Sequence, residues 1–492
     1  MTSRVFHLYF RPVLLGLVVF FAAASFADQD TQLRLQQRNA AGAQQKELSF
    51  IEEELEKERR ASSAVSDPQI SNNVNELGRA LYMTLQRKHW QQVRQLLPAY
   101  IALPGHDTML VHYAQGALAR VNGDLNAAEQ EYATLLQLQP DFLPARLEQA
   151  RVLFENKKNA DSLALFEQIL ASLPANDERA QGVRNTVTSF AGALHYRDAW
   201  QGSFAIGPAY NDNVNQSSES DTCLLLHSSG LCLVERSTPK AEAALGFDFD
   251  GTLNKRFSLS GHHGIVLNNL AYGSHYRDHS QYNEQTLVTS LGYSYQSAGN
   301  EVSVLPRFKY HAYGNDTLYV SAGLKLGWFH HLSPQTAFRF EAETEQLGYR
   351  PQNLDYLSGR QSAVYATLWH QLPGRWLLFG GLDYTHRDND QKVHAYQLYG
   401  TRIGVSKQWD WGLDSAVFAS FRKRRFGDYS ALLGALREDD EQSYTLTLGL
   451  PGLTLAGFSP VFTLRHHRVD SNVDWVYSHE KNQYSLKLEK RF

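Results

Sequence analysis

The chain has 492 residues, 20% of them charged and 12% aromatic, a formal net charge of -4 and a mean hydropathy of -0.41. Its length exceeds what one hydrophobic core serves, so two or more domains are expected. The near-balanced charge gives no support to nucleic-acid binding, and apolar runs of roughly 18 or more residues, the mark of a helical membrane protein, are absent from the sequence beyond the extreme N-terminus.

At that terminus Arg4 and Arg11 accompany an apolar run from Val13 to Ala24, which ends small-x-small at Ser25, Phe26 and Ala27. This pattern predicts a secretory signal peptide over residues 1–27, cleaved before Asp28. An uncleaved anchor is set aside because the run is short. No cysteine stands at the cleavage point, so no lipid is expected there. Residues 28–68 are rich in Gln, Glu, Lys and Ala and read as a polar lead-in, a solvated helix or a disordered stretch that needs no function.

Residues 69–190 carry helical periodicity and an internal repeat. Gly116, Tyr132 and Pro140 recur as Ala150, Phe166 and Pro174, each pair 34 positions apart, which is the tetratricopeptide period. Gly or Ala is small where two helices of a repeat approach, an aromatic fills the space between them, and proline stops the second helix. Ala128 belongs to the same signature, but the following copy places Ser162 there. A looser unit from about Val74 to Pro104 precedes them, giving about three repeats, near the minimum for a stable stack.

From about Ala199 the texture changes to short segments of alternating polarity. Leu318, Val320, Ala322, Leu324, Leu326 and Trp328 are predicted on one face of a strand, with Tyr319, Ser321, Gly323, Lys325 and Gly327 on the other. Leu287, Leu291, Tyr293 and Tyr295 repeat the period, as do Phe338 and Phe340 against Arg339, Glu341 and Glu343, and Tyr444, Leu446, Leu448 and Leu450. About 14 such segments are each long enough to cross a bilayer tilted, one face toward lipid and one toward water. Short connections at Asn254-Lys255, Gly299-Asn300, Ser333-Pro334, Pro373-Gly374 and Asp410 alternate with longer ones, including Leu347 to Gln361 and Lys423 to Glu441. The fold expected is thus α+β in two domains, a tetratricopeptide-like helical domain over 69–190 and a transmembrane antiparallel β-barrel of about 14 strands over 199–492. The last strand ends in Phe492, the kind of aromatic terminus that barrel-insertion machinery reads. Luminal Asp248, Asp250, Lys325, Arg339, Glu341 and Glu343 carry both signs and suit a filled or gated interior.

Cys223 and Cys232 lie close together in a polar loop; in an exported chain they are expected to form a disulfide. A metal site is set aside for want of flanking ligands. In the histidine pairs His262-His263, His330-His331 and His466-His467 the neighbours are expected on opposite faces of a strand, so no pair can chelate one ion from both rings without help. Asp383, Thr385 and His386 could be imagined as a rim constellation, but nothing in the sequence makes them converge. No enzyme, cofactor or metal is predicted.

The whole resembles the surface lipoprotein assembly modulator (Slam) proteins of Gram-negative bacteria, also described as type XI secretion translocators. The most specific piece is Tyr210, Asn211, Asp212, Asn213, Val214 and Asn215 at the end of the first strand, which looks like the family's opening of the barrel domain. The resemblance implies an outer-membrane barrel with its N-terminal domain in the periplasm. It also implies delivery of surface lipoproteins, or related secreted haem- and metal-acquisition proteins, across that membrane. The client's small β-barrel domain would be the partner recognised, with the repeats engaging client or a periplasmic chaperone and the barrel-assembly machinery inserting the protein into outer-membrane lipid. The alternatives are a polysaccharide-export porin with periplasmic repeats and a plain outer-membrane channel.

Overall fold

A computed structural model of the chain describes residues 24–61, 71–174, 178–228, 230 and 232–492. Most of the expected signal peptide, residues 1–23, and residues 62–68 of the lead-in lie outside the described residues. A long helix, α1 (Ala24–Ala61), is followed by α2 (Val74–Gln86), α3 (Trp90–Ile101), α4 (Thr108–Val121), α5 (Leu125–Leu138), α6 (Leu143–Glu155), α7 (Asn159–Ser172) and α8 (Gln181–Arg197).

Local chemistry places the starts of several helices. Asn73 accepts from Asn75 N at 2.9 Å ahead of α2, Asp107 accepts from Met109 N at 2.9 Å ahead of α4, and Asp124 accepts from Ala127 N at 3.0 Å ahead of α5. Pro140 and Pro174 follow just after α5 and α7, where a missing amide hydrogen harms nothing. Within the pairs, the repeat signature is a packing device. A Cβ on Gly116 would stand 2.9 Å from the Tyr132 ring, so only glycine lets α4 and α5 close over that buried aromatic. Ala150 and Phe166 hold the equivalent places in α6 and α7, and Phe166 stacks on Phe190 of α8 at 5.5 Å. Ser162 is buried and donates its hydroxyl to the Ala150 carbonyl at 2.8 Å, which satisfies the polar atom that alanine would have lacked. The looser first unit uses the same device with different spacing. Gly78 faces the Tyr100 ring, and a Cβ there would lie 3.0 Å away. Gly116→Val is expected to lower the stability of the stack by about 1–3 kcal/mol through overpacking. The helical circular dichroism of the full chain should then melt earlier; an unchanged melt would show that Tyr132 yields freely.

The strands are β1 (Gln201–Asn211), β2 (Asp221–Leu226), β3 (Cys232–Ser237), β4 (Ala244–Ser258), β5 (His263–Tyr276), β6 (Glu284–Gln296), β7 (Asn300–Tyr313) and β8 (Asp316–Ser333). They continue as β9 (Thr336–Tyr349), β10 (Gly359–Leu372), β11 (Trp376–Arg387), β12 (Tyr396–Gln408), β13 (Asp414–Ser430), β14 (Ala435–Gly449), β15 (Ser459–Ser471) and β16 (His479–Arg491). All but β2 and β3 form one closed antiparallel barrel of neighbouring strands, sealed by β1 against β16. The β2–β3 hairpin stands apart in the first loop.

Side-chain alternation divides the wall. Leu287, Leu291, Leu326, Leu368, Leu382, Ile403 and Val417 project outward and are exposed, a belt suited to hydrocarbon. Near the end that carries the C-terminus Trp376 lies beside Trp409, with Lys407 4.5 Å from the first ring and 4.0 Å from the second. Toward the opposite, loop-bearing end Tyr384 pairs with Tyr399 at 5.1 Å. These aromatics border the belt as a membrane girdle does.

Several boundaries differ from the sequence expectation. Asn254 and Lys255 lie within β4, which runs on to Ser258, because a polar pair inside a wide barrel marks no turn. Lys423 to Glu441 is no long loop; β13 and β14 continue through it to a tight turn at 431–434. Its charges follow the two-residue period. Lys423 faces Asp440 and Arg425 faces Glu438 on the outside, while Arg422 faces Glu441 and Arg424 faces Asp439 on the inside. Opposite charges set directly across an antiparallel pair fix its register. Leu318 leaves its expected outward row because a bulge at His311/Ala312 turns it under the segment around Leu354, where it is buried. Leu450 falls just past the end of β14. A loop spanning 388–395 and a terminus-side connection spanning 450–458 are further features of the barrel.

Candidate functional site in the barrel lumen

The inward faces of β11 to β14 carry an ion-pair network. Arg402 meets Asp383 at 2.5 Å, Arg422 meets the same carboxylate at 3.1 Å, and all three side chains are buried. Further along, Arg424 pairs with Glu441, and Arg437 holds Asp439 at 2.8 Å. Across the lumen Lys325 pairs with Glu341 at 2.7 Å, Arg307 with Glu343, and Lys487 with Asp250. Asp248 accepts from Ser274 at 2.6 Å and Gln483 at 2.9 Å. The expected mixed-sign interior therefore takes the form of mutual neutralisation, the arrangement buried charges require.

The lumen also holds α1. Asp30 receives Arg422 at 2.9 Å and the Ser420 hydroxyl at 2.7 Å. Thr31 receives Arg465 at 3.1 Å, and Gln32 donates to the Tyr272 hydroxyl at 3.1 Å while its oxygen accepts from Arg307 at 2.7 Å. Leu35 packs against Leu270, Tyr272 and Val288, and Arg38 pairs with Glu489 at 2.7 Å. One helix thus touches walls on several sides, with its N-terminal turns deepest and its later turns emerging at the terminus end. There a cavity of about 710 Å³ remains beside it, lined by Lys46, Asn268, Asn269, Glu301, Arg307 and Arg339 among others. Beyond the mouth α1 joins the helical stack. Ile51 sits in the core with Phe154, Phe166 and Phe190, and Arg197, stacked 3.8 Å over Phe154, bonds Glu47 at 2.8 Å. Burial raises the Glu47 carboxyl, but Lys157 and Arg197 outweigh it and hold the group below the ordinary carboxylate range.

The other singled-out residues fall in distinct places. Tyr210 faces outward, 6.3 Å from Tyr484. Asn211 turns inward and donates to the Tyr276 hydroxyl at 3.1 Å. Asp212 accepts from the Asn482 backbone and side chain, both at 2.7 Å. Asn213 donates to the carbonyls of Ser217 at 3.0 Å and Glu480 at 2.9 Å, and Asn215 to that of Lys240 at 2.8 Å. Val214 is buried with Ala244 and Tyr276. The motif staples the first loop to the β1–β16 seam. Cys223 and Cys232 are joined across the β2–β3 hairpin, their Cα atoms 5.8 Å apart. Phe492 closes the seam at the terminus end, exchanging backbone hydrogen bonds with Gly202 at 3.0 and 3.1 Å. Asp383 and Thr385 point into the lumen and His386 away from it, so they form no joint site. His263 bonds the Tyr293 hydroxyl at 2.6 Å and His466 the Asn482 side chain at 2.8 Å. Among the described residues no group of three or more His, Cys, Asp or Glu is placed to hold a metal ion.

The luminal seat of α1 escaped sequence reasoning. A helix rich in Gln and Arg has the same composition in water and in a polar lumen. The same-parity run of Ser420, Arg422 and Arg424 calls for internal counter-charges, but the wall carboxylates Asp383, Asp439 and Glu441 meet that need as well and so hid the helix.

A closed barrel with an apolar belt, carrying a tetratricopeptide stack ahead of it, defines a two-domain membrane β-barrel protein. Sequence comparison narrows this further. The profile described as "Surface lipoprotein assembly modifier" matches residues 200–492, and that described as "Surface lipoprotein assembly modifier, N-terminal TPR repeats" matches residues 63–166. The chain is 38% identical over 496 residues to the "Hemophilin secretion modulator" of Acinetobacter baumannii, covering 98% of this chain and 100% of that protein. It is 26% identical over 464 residues to the "Surface lipoprotein assembly modifier" of Pasteurella multocida, covering 88% and 87%. To "Surface lipoprotein assembly modifier 1" of Neisseria meningitidis it is 25% identical over 429 residues, covering 86% and 84%. The chain belongs to the surface lipoprotein assembly modifier family, and its barrel is an outer-membrane barrel.

Proposed function

We propose that this protein delivers a client protein across the outer membrane, with its barrel as the conduit. The client is a surface lipoprotein or a secreted protein of the hemophilin kind, bearing a small β-barrel domain. The helical stack lies in the periplasm and engages the client or its chaperone, and the loop end of the barrel faces outward. Phe492 serves as the signal by which the barrel-assembly machinery inserts the chain. The observation that carries this reading is the union of a helical-repeat stack with a barrel whose lumen is occupied by the chain's own α1. A passive porin requires a lumen that stays open.

Protease shaving of intact cells, with and without the gene, tests the proposal. With the gene present a specific client is expected to be cut at the cell surface; without it, the same client should be protected and accumulate in the periplasm. Unchanged surface exposure of every candidate client, lipidated or soluble, would count against delivery.

A further inference from the structure

Arg422 is buried between two carboxylates, Asp30 of α1 and Asp383 of the wall, and Asp383 is shared with Arg402. Were α1 to leave, Arg422 would lose its two-point carboxylate partner and share Asp383 with Arg402, while Glu441 across the strand pair stays engaged by Arg424. A two-point, charge-assisted bond exchanged for lumen water is a net loss, so bare withdrawal of the helix is opposed, and withdrawal coupled to arrival of another carboxylate is opposed less. The rest of the seat is shaped for a helix. A hydroxyl from Ser420 supports the acid, the Leu270, Tyr272 and Val288 notch takes one aliphatic side chain, and Glu489 at the mouth takes a base. The cavity of about 710 Å³ beside α1 lies at the same mouth and is lined by both polar and apolar side chains, Asn268, Arg307 and Arg339 with Leu305 and Phe329 among them, which leaves space beside the seated helix on the approach to the Asp30 seat.

We propose that the luminal seat of Asp30 is an exchange site. An acidic, helix-forming segment of the transported protein takes Arg422 over from Asp30, and α1 is displaced by that substitution of one carboxylate for another. The proposal rests on the delivery function above and specifies the part of the client the lumen recognises.

The test uses the full-length protein carrying Leu35→Cys and Val288→Cys, joined by a short thiol-to-thiol cross-linker as the readout of a seated α1. The native cysteines are already paired and do not compete. The probe is a synthetic peptide of residues 28–45, compared with the same peptide carrying Asp28→Asn and Asp30→Asn. An excess of the acidic peptide is expected to lower the cross-link yield severalfold and the amide peptide to leave it unchanged. Equal effects of the two peptides, or no effect of either, would overturn the exchange. Because the double variant could fail to assemble, the acidic peptide is also labelled and its binding compared between the otherwise native protein and Arg422→Gln, where its advantage over the amide peptide should vanish. Persistence of that advantage would overturn the assignment of Arg422. Surface delivery that continues with α1 cross-linked in place would sink the exchange while leaving the delivery function standing, whereas only the gene-deletion experiment bears on delivery itself.

Discussion

Replacing Arg422 by alanine is expected to unseat α1 from the lumen. The guanidinium is the principal partner of Asp30, and it also braces Asp383. Removing one partner of a buried ion pair costs about 3–5 kcal/mol, because the remaining charge is stranded away from water. Asp383 keeps Arg402, but Asp30 keeps only the Ser420 hydroxyl and the neighbouring Arg34 charge of its own helix, and the open cavity at the terminus end gives the helix a route to water. The cheapest relaxation is for α1 to withdraw and hydrate Asp30. Limited trypsin digestion reads this directly. Arg34 and Arg38 should be protected in the native protein and cut rapidly in the Arg422→Ala variant, while the barrel stays resistant. Equal protection in both proteins would show that the apolar notch and the Arg38–Glu489 pair hold α1 without help from Asp30.

Deleting residues 28–45 is expected to turn a closed barrel into a conducting one. A barrel of this strand number encloses more space than its own inward side chains fill, and α1 is what occupies the centre, spanning from Ser420 and Arg422 on one side to Tyr272 and Arg307 on another. In planar bilayers the native protein should stay mostly closed, and the shortened one should show large, long-lived steps. The residual lumen carries both charge signs in paired form, so weak ion selectivity is expected rather than a strong preference. A shortened protein as closed as the native one would mean that the inward-facing side chains seal the lumen themselves.

Much of this architecture was legible from residue order. Strand alternation is a local property, so Phe338 and Phe340 could be set outside and Arg339, Glu341 and Glu343 inside without knowing any neighbour. The tetratricopeptide period likewise showed itself in Gly116 and Tyr132 recurring as Ala150 and Phe166. What was hidden depends on pairing across long separations. Nothing near Asp30 indicates Arg422, and nothing near Glu47 indicates Arg197. The charged run from Lys423 to Glu441 resembled a solvated loop because its inward and outward charges were read as one set. Separated by parity, they form two complementary ladders, one above the lipid belt and one inside the lumen. The first repeat was blurred because Gly78 and Tyr100 meet across a different number of residues than Gly116 and Tyr132, although the contact is the same.

The most direct measurement of delivery is reconstitution. The full-length protein is placed in liposomes with its helical domain outward, an unfolded client is added outside, and client that becomes resistant to external protease is measured alongside leakage of a small dye. Protected client is expected in vesicles holding the protein and none in empty vesicles, with little dye loss before client is added. Free passage of dye from the start with no protected client would contradict delivery and point to an open channel instead.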